Sequence, residues 1–399
     1  MANPMDALSA LLDLTTDQRS LRGLSFTAAE IYQQPATWRS TRDKVRNKGS
    51  ELRKALRKLG FGSDGRLRAT VRLIGAGTSD YVARSVRTVL AEEWRCEVSA
   101  LPSTELLTNE PEWIVDGTRY LYVWFSRSGN SPESIAILER TIIDRPSIQH
   151  IVITCNRDGQ LASAGRDHQQ VLPIILDEAV NDRGLAMTSS FSNMVIAAHV
   201  LAHIEAPHTY DAIFDEIALV AASFRTRAAD LCASLAHEGY SQICFLGTGT
   251  LNAVAQECAL KVLELTAGKV HTISQSSLGI RHGPLSALNQ ETLVISFLSS
   301  DRQRRNYETD LLGEIGSKHL AGTTVAIAPM DCAAVDALVD HVVHLEIQNC
   351  RDEYRAPIDV MFGQLLGLFL SLEFGLEPDN PSPNGAISRV VSGVRIHRQ

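Results

Sequence analysis

The sequence predicts an α/β protein made of two doubly wound, parallel-sheet domains in tandem. Three observations lead there. First, short apolar runs recur, each ending in small or hydroxylated residues, as at 71–74, 120–125 and 243–246. Runs without polar alternation suit strands buried on both faces. Second, the ends of corresponding runs keep nearly one spacing. Gly247 lies 172 positions after Gly75, Ser299 lies 173 after Ser126, and Ile327 lies 174 after Ile153. Three pairs at one offset argue for an internal duplication, with copies too long for a solenoid unit. Third, 399 residues with 44% hydrophobic content are enough for two cores.

The elements follow in order. Residues 1–45 form a polar, mixed N-terminal arm. In it Thr27 and Glu30 resemble a capping box, a helix is expected over 28–33, and Pro35 should interrupt it. Residues 38–59 are basic and amphipathic, with Val45, Leu52, Leu56 and Leu59 at helical spacing. The first domain, 46–208, should hold strands at 71–74, 96–100, 120–125, 150–154 and 171–175. Its helices should cover 81–94, 134–143 and the stretch from the Met187-Thr-Ser-Ser-Phe191 segment to His203. A helix over 213–237 links the copies. The second domain, 209–374, should hold strands at 243–246, 292–298, 323–328 and 342–345, with a helix ending at Leu265. The tail, 375–399, begins with Pro378, Pro381 and Pro383. Its end, Val390-Val-Ser-Gly-Val394, is apolar enough to pack.

Composition excludes several classes. The net charge is −8, and the basic cluster Arg302 to Arg305 is too short for a nucleic-acid footprint, reading instead as a solvated loop. No uncharged apolar run reaches transmembrane length, and no basic-then-apolar leader opens the chain. A cytoplasmic protein without nucleic-acid or membrane partners is expected. Seven scattered cysteines without a C-x-x-C read as reduced core thiols. His199 and His203 lie four apart on an expected helix, but no H-E-x-x-H accompanies them, so their role should be structural. No metal or cofactor is expected.

The chemistry concentrates in a few segments. Tyr122-Val-Trp-Phe-Ser-Arg-Ser-Gly-Asn-Ser-Pro-Glu133 reads as strand, serine loop and helix start. Proline and a carboxylate suit the first helical turn. Backbone N–H groups and the hydroxyls of Ser126, Ser128 and Ser131 would form an anion cradle. An ordinary capped turn would look the same in isolation. Ligands of open α/β sheets bind beyond the carboxyl ends of strands. Gly77, Thr78 and Ser79, the serine loop, Asn156 to Asp158, and Asp182 to Ser190 should meet there in the first domain. Such a surface suits a phosphorylated polyol. Gly75-Ala-Gly-Thr-Ser-Asp80 begins like a dinucleotide fingerprint, with Glu97 twenty residues beyond Gly77, but Asp80 occupies its third glycine position. In the second domain, Glu257, Lys261 and Glu264 share one helix face. They could be a surface ion-pair ladder, yet their apolar neighbours suggest burial, where carboxylates are costly without a task. His282 sits between glycines in Gly279-Ile-Arg-His-Gly-Pro284 and is a candidate general acid–base.

Together these segments resemble the sugar isomerase (SIS) domain family in tandem form, with flavodoxin-like domains, over about residue 45 to the C-terminus. Gly-Thr-Ser at 77–79, Ser-x-Ser-Gly-x-Ser at 126–131, Ala-Leu-Lys-x-x-Glu at 259–264 and His-Gly-Pro at 282–284 are similar to the isomerase half of glucosamine-6-phosphate synthase. Longer matches are similar to the galactosamine-6-phosphate deaminase/isomerases, also called tagatose-6-phosphate ketose/aldose isomerases. They are Phe125-Ser-Arg-Ser-Gly-Asn-Ser-Pro-Glu-Ser134, Asp182-Arg-Gly-Leu-Ala-Met-Thr-Ser-Ser190, Ala259-Leu-Lys-Val-Leu-Glu-Leu-Thr-Ala-Gly-Lys269 and Asn384-Gly-Ala-Ile-Ser-Arg-Val-Val391.

The resemblance implies roles. Ser126, Ser128, Ser131 and the Arg127 backbone would bind the sugar phosphate, and Gly77, Thr78, Ser79, Thr188 and Ser189 would line the sugar. Glu264 would move a proton between carbons 2 and 1, with Lys261 beside it, and His282 would assist ring opening. In the synthase relatives that histidine comes from the partner subunit, which implies a homodimer with shared sites. Asp182 is a candidate for the amino group. The synthase tail supplies a lysine where this tail has Arg389, which stays protonated and forms no Schiff base. Arg389 is expected to hold a hydroxyl or phosphate. The expected reaction converts galactosamine 6-phosphate to tagatose 6-phosphate and ammonia through an enolamine. Alternatives are a ketose/aldose isomerase that releases no ammonia, a glucosamine-6-phosphate deaminase, or a non-catalytic phosphosugar sensor.

Overall fold

A computed structural model describes residues 5–330, 332–347, 350–382, 385, 387–391 and 393–397. Of the expected tail motif, Asn384 and Ala386 lie outside the described residues, as does Pro383. The elements in chain order are α1 (Ala7–Leu12), α2 (Thr16–Leu21), α3 (Thr27–Asn47), α4 (Gly49–Lys58), β1 (Thr70–Gly75), α5 (Thr78–Trp94), β2 (Val98–Pro102), α6 (Ser103–Trp113), β3 (Tyr120–Ser126), α7 (Pro132–Asp144), β4 (Gln149–Thr154), α8 (Gln160–Asp167), β5 (Val171–Ile175), α9 (Ser189–Ala202) and α10 (His208–Ala236). Then come β6 (Gln242–Gly247), α11 (Thr250–Leu265), β7 (His271–Ser276), β8 (Thr292–Phe297), α12 (Arg302–Ser317), β9 (Thr323–Pro329), β10 (His341–Leu345) and α13 (Asp352–Glu373).

Two five-stranded parallel sheets result, ordered β2-β1-β3-β4-β5 and β7-β6-β8-β9-β10. Each therefore places its third strand between its first and fourth. The chain forms two compact units. The unit of the first sheet comprises Ala36–Asp182, Ser189–Ala212 and Ile387–Gln399. The unit of the second comprises Met1–Pro35, Arg183–Thr188 and Ile213–Ala386.

In the first-sheet unit every residue of β3 is buried, as a run without alternation requires. Its even-numbered side chains, Tyr120, Tyr122 and Trp124, pack with Leu106, Ile137, Leu138 and Leu161 from α6, α7 and α8. α5 and α9 pack on each other, α5 touching β1 and β2 and α9 touching β4. His150 of β4 is 1% exposed and accepts a 3.1 Å hydrogen bond from Trp124 Nε1–H at Nδ1. Burial pushes its imidazole down to about 3. His199 and His203 are structural: His203 stacks on Tyr210 at 5.4 Å and meets the Thr209 hydroxyl at 2.8 Å. The tail residues Val391 and Val394 are 55% and 38% exposed while Val390 is half-buried, so the expected apolar packing of the tail is made only in part. Polar contacts of Arg389 hold it as well, as described below.

In the second-sheet unit, α11 lies on β6, β7 and β8, and α13 lies along α11. α12 packs Leu311 and Ile315 against Cys244, Leu246 and Val294. α13 is long and apolar enough to cross a membrane by length and composition, but 89% of its apolar window is buried inside the protein. It also carries the buried charges Arg355 and Asp359. Two glycines set its approach to α11. A Cβ on Gly363 would fall 2.5 Å from Cys258 Cβ, and one on Gly367 would fall 2.8 Å from Leu265 Cδ1. All seven cysteines are free thiols, and six are buried.

Several expectations fail for identifiable reasons. Pro35 does not interrupt the first long helix, because α3 runs through it. Proline removes the hydrogen bond to the carbonyl four residues back, and here the Gln34 side-chain amide donates 3.1 Å to that carbonyl, Ile31 O. Thr27 is the first helical residue and not a cap. The Asp379 carboxylate accepts from Thr27 N and Thr27 Oγ1 at 2.8 Å and from Phe26 N at 3.1 Å. The segment around Asp379 passes close to Gly23, where a Cβ would lie 2.3 Å from Glu377 Cβ. Arg302 to Arg305 open α12 behind the N-cap Asp301, and Arg305 is buried, so the cluster is no solvated loop. The second strand begins at Val98, two residues later than expected. The expectation also omitted α1, α2, α6, α8, β7, α12 and α13.

Two predictions follow from this packing. Asp379→Ala removes a helix cap joined through tertiary structure and should cost about 1–2 kcal/mol of stability in denaturant unfolding. His150 stays neutral in the folded chain down to about 3, whereas the unfolded chain protonates it at 6.5. Its contribution is therefore complete above 6.5 and declines as pH falls toward 3, at up to about 1.4 kcal/mol per pH unit. His150→Gln, which keeps an acceptor and does not titrate, should flatten the acid limb of the stability profile.

Candidate functional site

In the first-sheet unit the hydroxylated segments stand at the carboxyl ends of β1 and β3. Gly77 caps α5 with φ 57°, a conformation that glycine adopts without strain, and Thr78 and Ser79 form the first buried turn. Gly75 must be glycine, since a Cβ would lie 2.4 Å from the Ser79 carbonyl carbon. Asp80 is buried, accepts 2.7 Å from Arg84 Nε, and leaves Oδ1 without a hydrogen-bond partner. Burial raises its carboxyl above the usual range, against the pull of Arg84.

The serine loop leaves β3 and enters α7, with Pro132 in the first turn as expected. Ser126 Oγ accepts from Gly129 N at 3.0 Å and Ser128 Oγ from Asn130 N at 3.2 Å. The β4–α8 connection braces the loop: Asn156 Nδ2 donates to Ser128 O at 2.8 Å, and Gln160 N donates to Asn130 Oδ1 at 3.0 Å. Gly129 has φ 65°, and a Cβ there would lie 3.2 Å from Gly159 Cα. Among the described residues, no carboxylate accepts from Ser126, Ser128 or Ser131. The sequence reading had placed Asn156 near the ligand; its visible task is holding the loop.

Asp182 is 1% exposed, and its carboxylate is engaged locally. It accepts from Ser189 Oγ at 2.5 Å, Ser190 N at 2.8 Å and Ser190 Oγ at 2.5 Å, at the start of α9. Arg389 donates to Asp182 O at 2.5 Å and to Asn181 Oδ1 at 2.6 Å, while Arg127 donates to the Arg389 carbonyl at 2.5 Å. These three side chains thus tie the tail to the β5–α9 connection and the serine loop.

In the second-sheet unit, Thr188 is fully buried, and its carbonyl accepts from Gln364 Nε2 at 3.2 Å. Glu257, Lys261 and Glu264 share a face of α11, as spacing predicts. Lys261 and Glu257 have no exposed side-chain surface, whereas the Glu264 side chain is 30% exposed. Lys261 Nζ lies 3.5 Å from Glu257 Oε1 and 2.5 Å from Glu264 Oε2. The trio is therefore a buried ion-pair line with one accessible carboxylate at its end. His282 is exposed, its N–H bonded to Gly279 O at 3.0 Å, and Gly283 follows with φ 127°. Among the described residues no three His, Cys, Asp or Glu side chains are grouped to hold a metal ion.

Comparison with known proteins adds a family. The SIS domain family model matches residues 213–365. The D-galactosamine-6-phosphate deaminase AgaS of Escherichia coli O157:H7 is 34% identical over 94% of this chain and 96% of its own. The protein of that name from Shewanella sp. (strain ANA-3) is 31% identical over 99% and 97%. The crystal structure of tagatose-6-phosphate ketose/aldose isomerase from Escherichia coli is similar at TM-score 0.82 and 30% identity, covering 93% of this chain and 96% of that one. With two parallel sheets of one strand order and relatives matched over nearly its whole length, the chain belongs to the AgaS family of tandem SIS-domain proteins.

Proposed function

We propose that the chain is a cytoplasmic, homodimeric enzyme that converts galactosamine 6-phosphate and water to tagatose 6-phosphate and ammonium. The likeness to galactosamine-6-phosphate deaminases over 94% of the chain carries this reading. Two features of the structure support it: a braced serine loop bonded to no carboxylate among the described residues, and a carboxylate that emerges from a buried helix. The duplicated arrangement, with SIS copies at 46–208 and 209–374, an arm at 1–45 and a tail at 375–399, belongs to the same proposal.

In this mechanism Ser126, Ser128, Ser131 and the Arg127 backbone hold the phosphate. Gly77, Thr78, Ser79, Thr188 and Ser189 line the sugar. Asp182 orients Ser189, and Arg389 holds the tail beside the loop. His282, which in a homodimer could serve the neighbouring subunit, assists ring opening. Glu264 takes the proton from carbon 2, giving an enolamine, and Lys261 fixes its carboxylate. Protonation at carbon 1 leaves an imine at carbon 2, whose hydrolysis gives the ketose and ammonium. No step requires a Schiff base with the protein, in keeping with arginine at 389.

A second reading, an isomerase that never handles an amine, is favoured by the name of the Escherichia coli structure. Ammonia and ketose 6-phosphate measured together across hexosamine 6-phosphates separate the two. The expected result is equal release of both from galactosamine 6-phosphate, with Glu264→Gln lowering kcat by about 100-fold or more. Sugar turnover without ammonia, or a Glu264→Gln enzyme near full activity, would contradict the proposal.

A further inference from the structure

The connection after β8 is the counterpart, in the second sheet, of the serine loop after β3. Both follow the central strand, and the strand registers, 172 positions apart, match Ser300 to Ser128 and Ser299 to Arg127. The two loops differ in what fills them. In the first, among the described residues, the Ser126 and Ser128 hydroxyls accept from backbone N–H groups of their own loop, and Asn156 donates to the Ser128 carbonyl. In the second, the Asp352 carboxylate, 2% exposed, occupies the loop. It accepts from Ser300 N at 2.7 Å and Ser300 Oγ at 2.8 Å, and also from the Ser299 hydroxyl. Glu308, fully buried, accepts from Ser299 N at 2.7 Å. Two backbone donors and two hydroxyls thus converge on carboxylate oxygens, as they would on a phosphoryl group.

Cations complete the likeness. Arg355 Nη1 lies 3.3 Å and Arg304 Nη1 3.5 Å from the Asp352 carboxylate. Burial opposes ionisation of Asp352, but Arg355 and the serine donors outweigh it and hold the carboxyl below its ordinary range. Arg355 is 1% exposed, and its Nε has no hydrogen-bond partner. It lines a cavity of about 230 Å³ with Ser300, Pro329, Leu345, Ile347 and Cys350, at the carboxyl ends of β8, β9 and β10. The room and the cation for an anion are present; the chain's own carboxylate holds the donors.

We propose that Asp352 is a resident substitute for phosphate that closes the second copy's cradle, and that removing its charge opens a second anion site for inorganic phosphate or a phosphate monoester. The assignment of the first loop to phosphate rests on the proposed function; the occupancy of the second does not. One site per chain then follows from side chains rather than from a difference in fold.

Phosphate titration by calorimetry on the full-length chain tests this in two arms. The native chain should bind one phosphate, and Ser126→Ala with Ser128→Ala should abolish it. Adding Asp352→Asn, or Asp352→Ser if the first variant melts early, should restore one site at least about tenfold tighter than the residual binding of the parent. Two phosphates bound by the native chain, a full site surviving the serine changes, or a folded Asp352 variant that gains nothing would each overturn the inference. A native chain that binds no phosphate at all, together with an Asp352 variant that gains a site, would leave it standing and would remove the reading of the first loop instead.

Discussion

A lysine without solvent contact sets the terms for the second half of the chain. Burying an ammonium costs several kcal/mol unless partners compensate, and removing one partner of such a pair costs about 3–5 kcal/mol. Lys261 has those partners on its own helix, in Glu257 and Glu264. α13 packs along the same helix, and its close approach at Cys258 and Leu265 requires that Gly363 and Gly367 present no side chain there. Of the three charges only Glu264 retains exposed surface. Close helix packing, charge compensation and a single reachable carboxylate are thus one arrangement viewed at three scales.

The sheets follow a similar logic. A parallel strand buried on both faces must deliver its polar chemistry at its end, because nowhere along its length can a polar group be solvated. In the first sheet the end of β3 opens into serines braced by neutral amides. In the second, the end of β8 opens into serines satisfied by Asp352 and Glu308. Identical strand order with opposite filling shows how little of a site's chemistry the topology dictates.

The strands and the chemistry-bearing turns were legible because they depend on local signals. Short runs rich in apolar residues located nine of the ten described strands, five of these runs closing on Gly, Ser or Thr, and i, i+3 and i+4 spacing placed Glu257, Lys261 and Glu264 on one face. What was not legible depends on partners distant in sequence. The cap of α3 comes from Asp379, and the carbonyl freed by Pro35 is satisfied by Gln34, whose amide also reaches Gln364 at 2.6 Å. β7 was missed because its residues are half-buried and polar, without a continuous apolar run. α13 was missed although apolar residues surround its whole circumference, which masks a helical period; the glycines four apart at 363 and 367 were the available signal. The commitment of Asp182 to the start of α9 likewise required coordinates, since an aspartate before serines reads equally well as a ligand contact.

The proposed function requires that the loop after β3 grip the phosphoryl group. A crystal structure of the protein with galactosamine 6-phosphate measures this directly. The expected result is phosphoryl oxygens within hydrogen-bonding distance of the Ser126, Ser128 and Ser131 hydroxyls and the loop's backbone N–H groups. A phosphoryl group bound elsewhere, with that loop left to solvent, would contradict it.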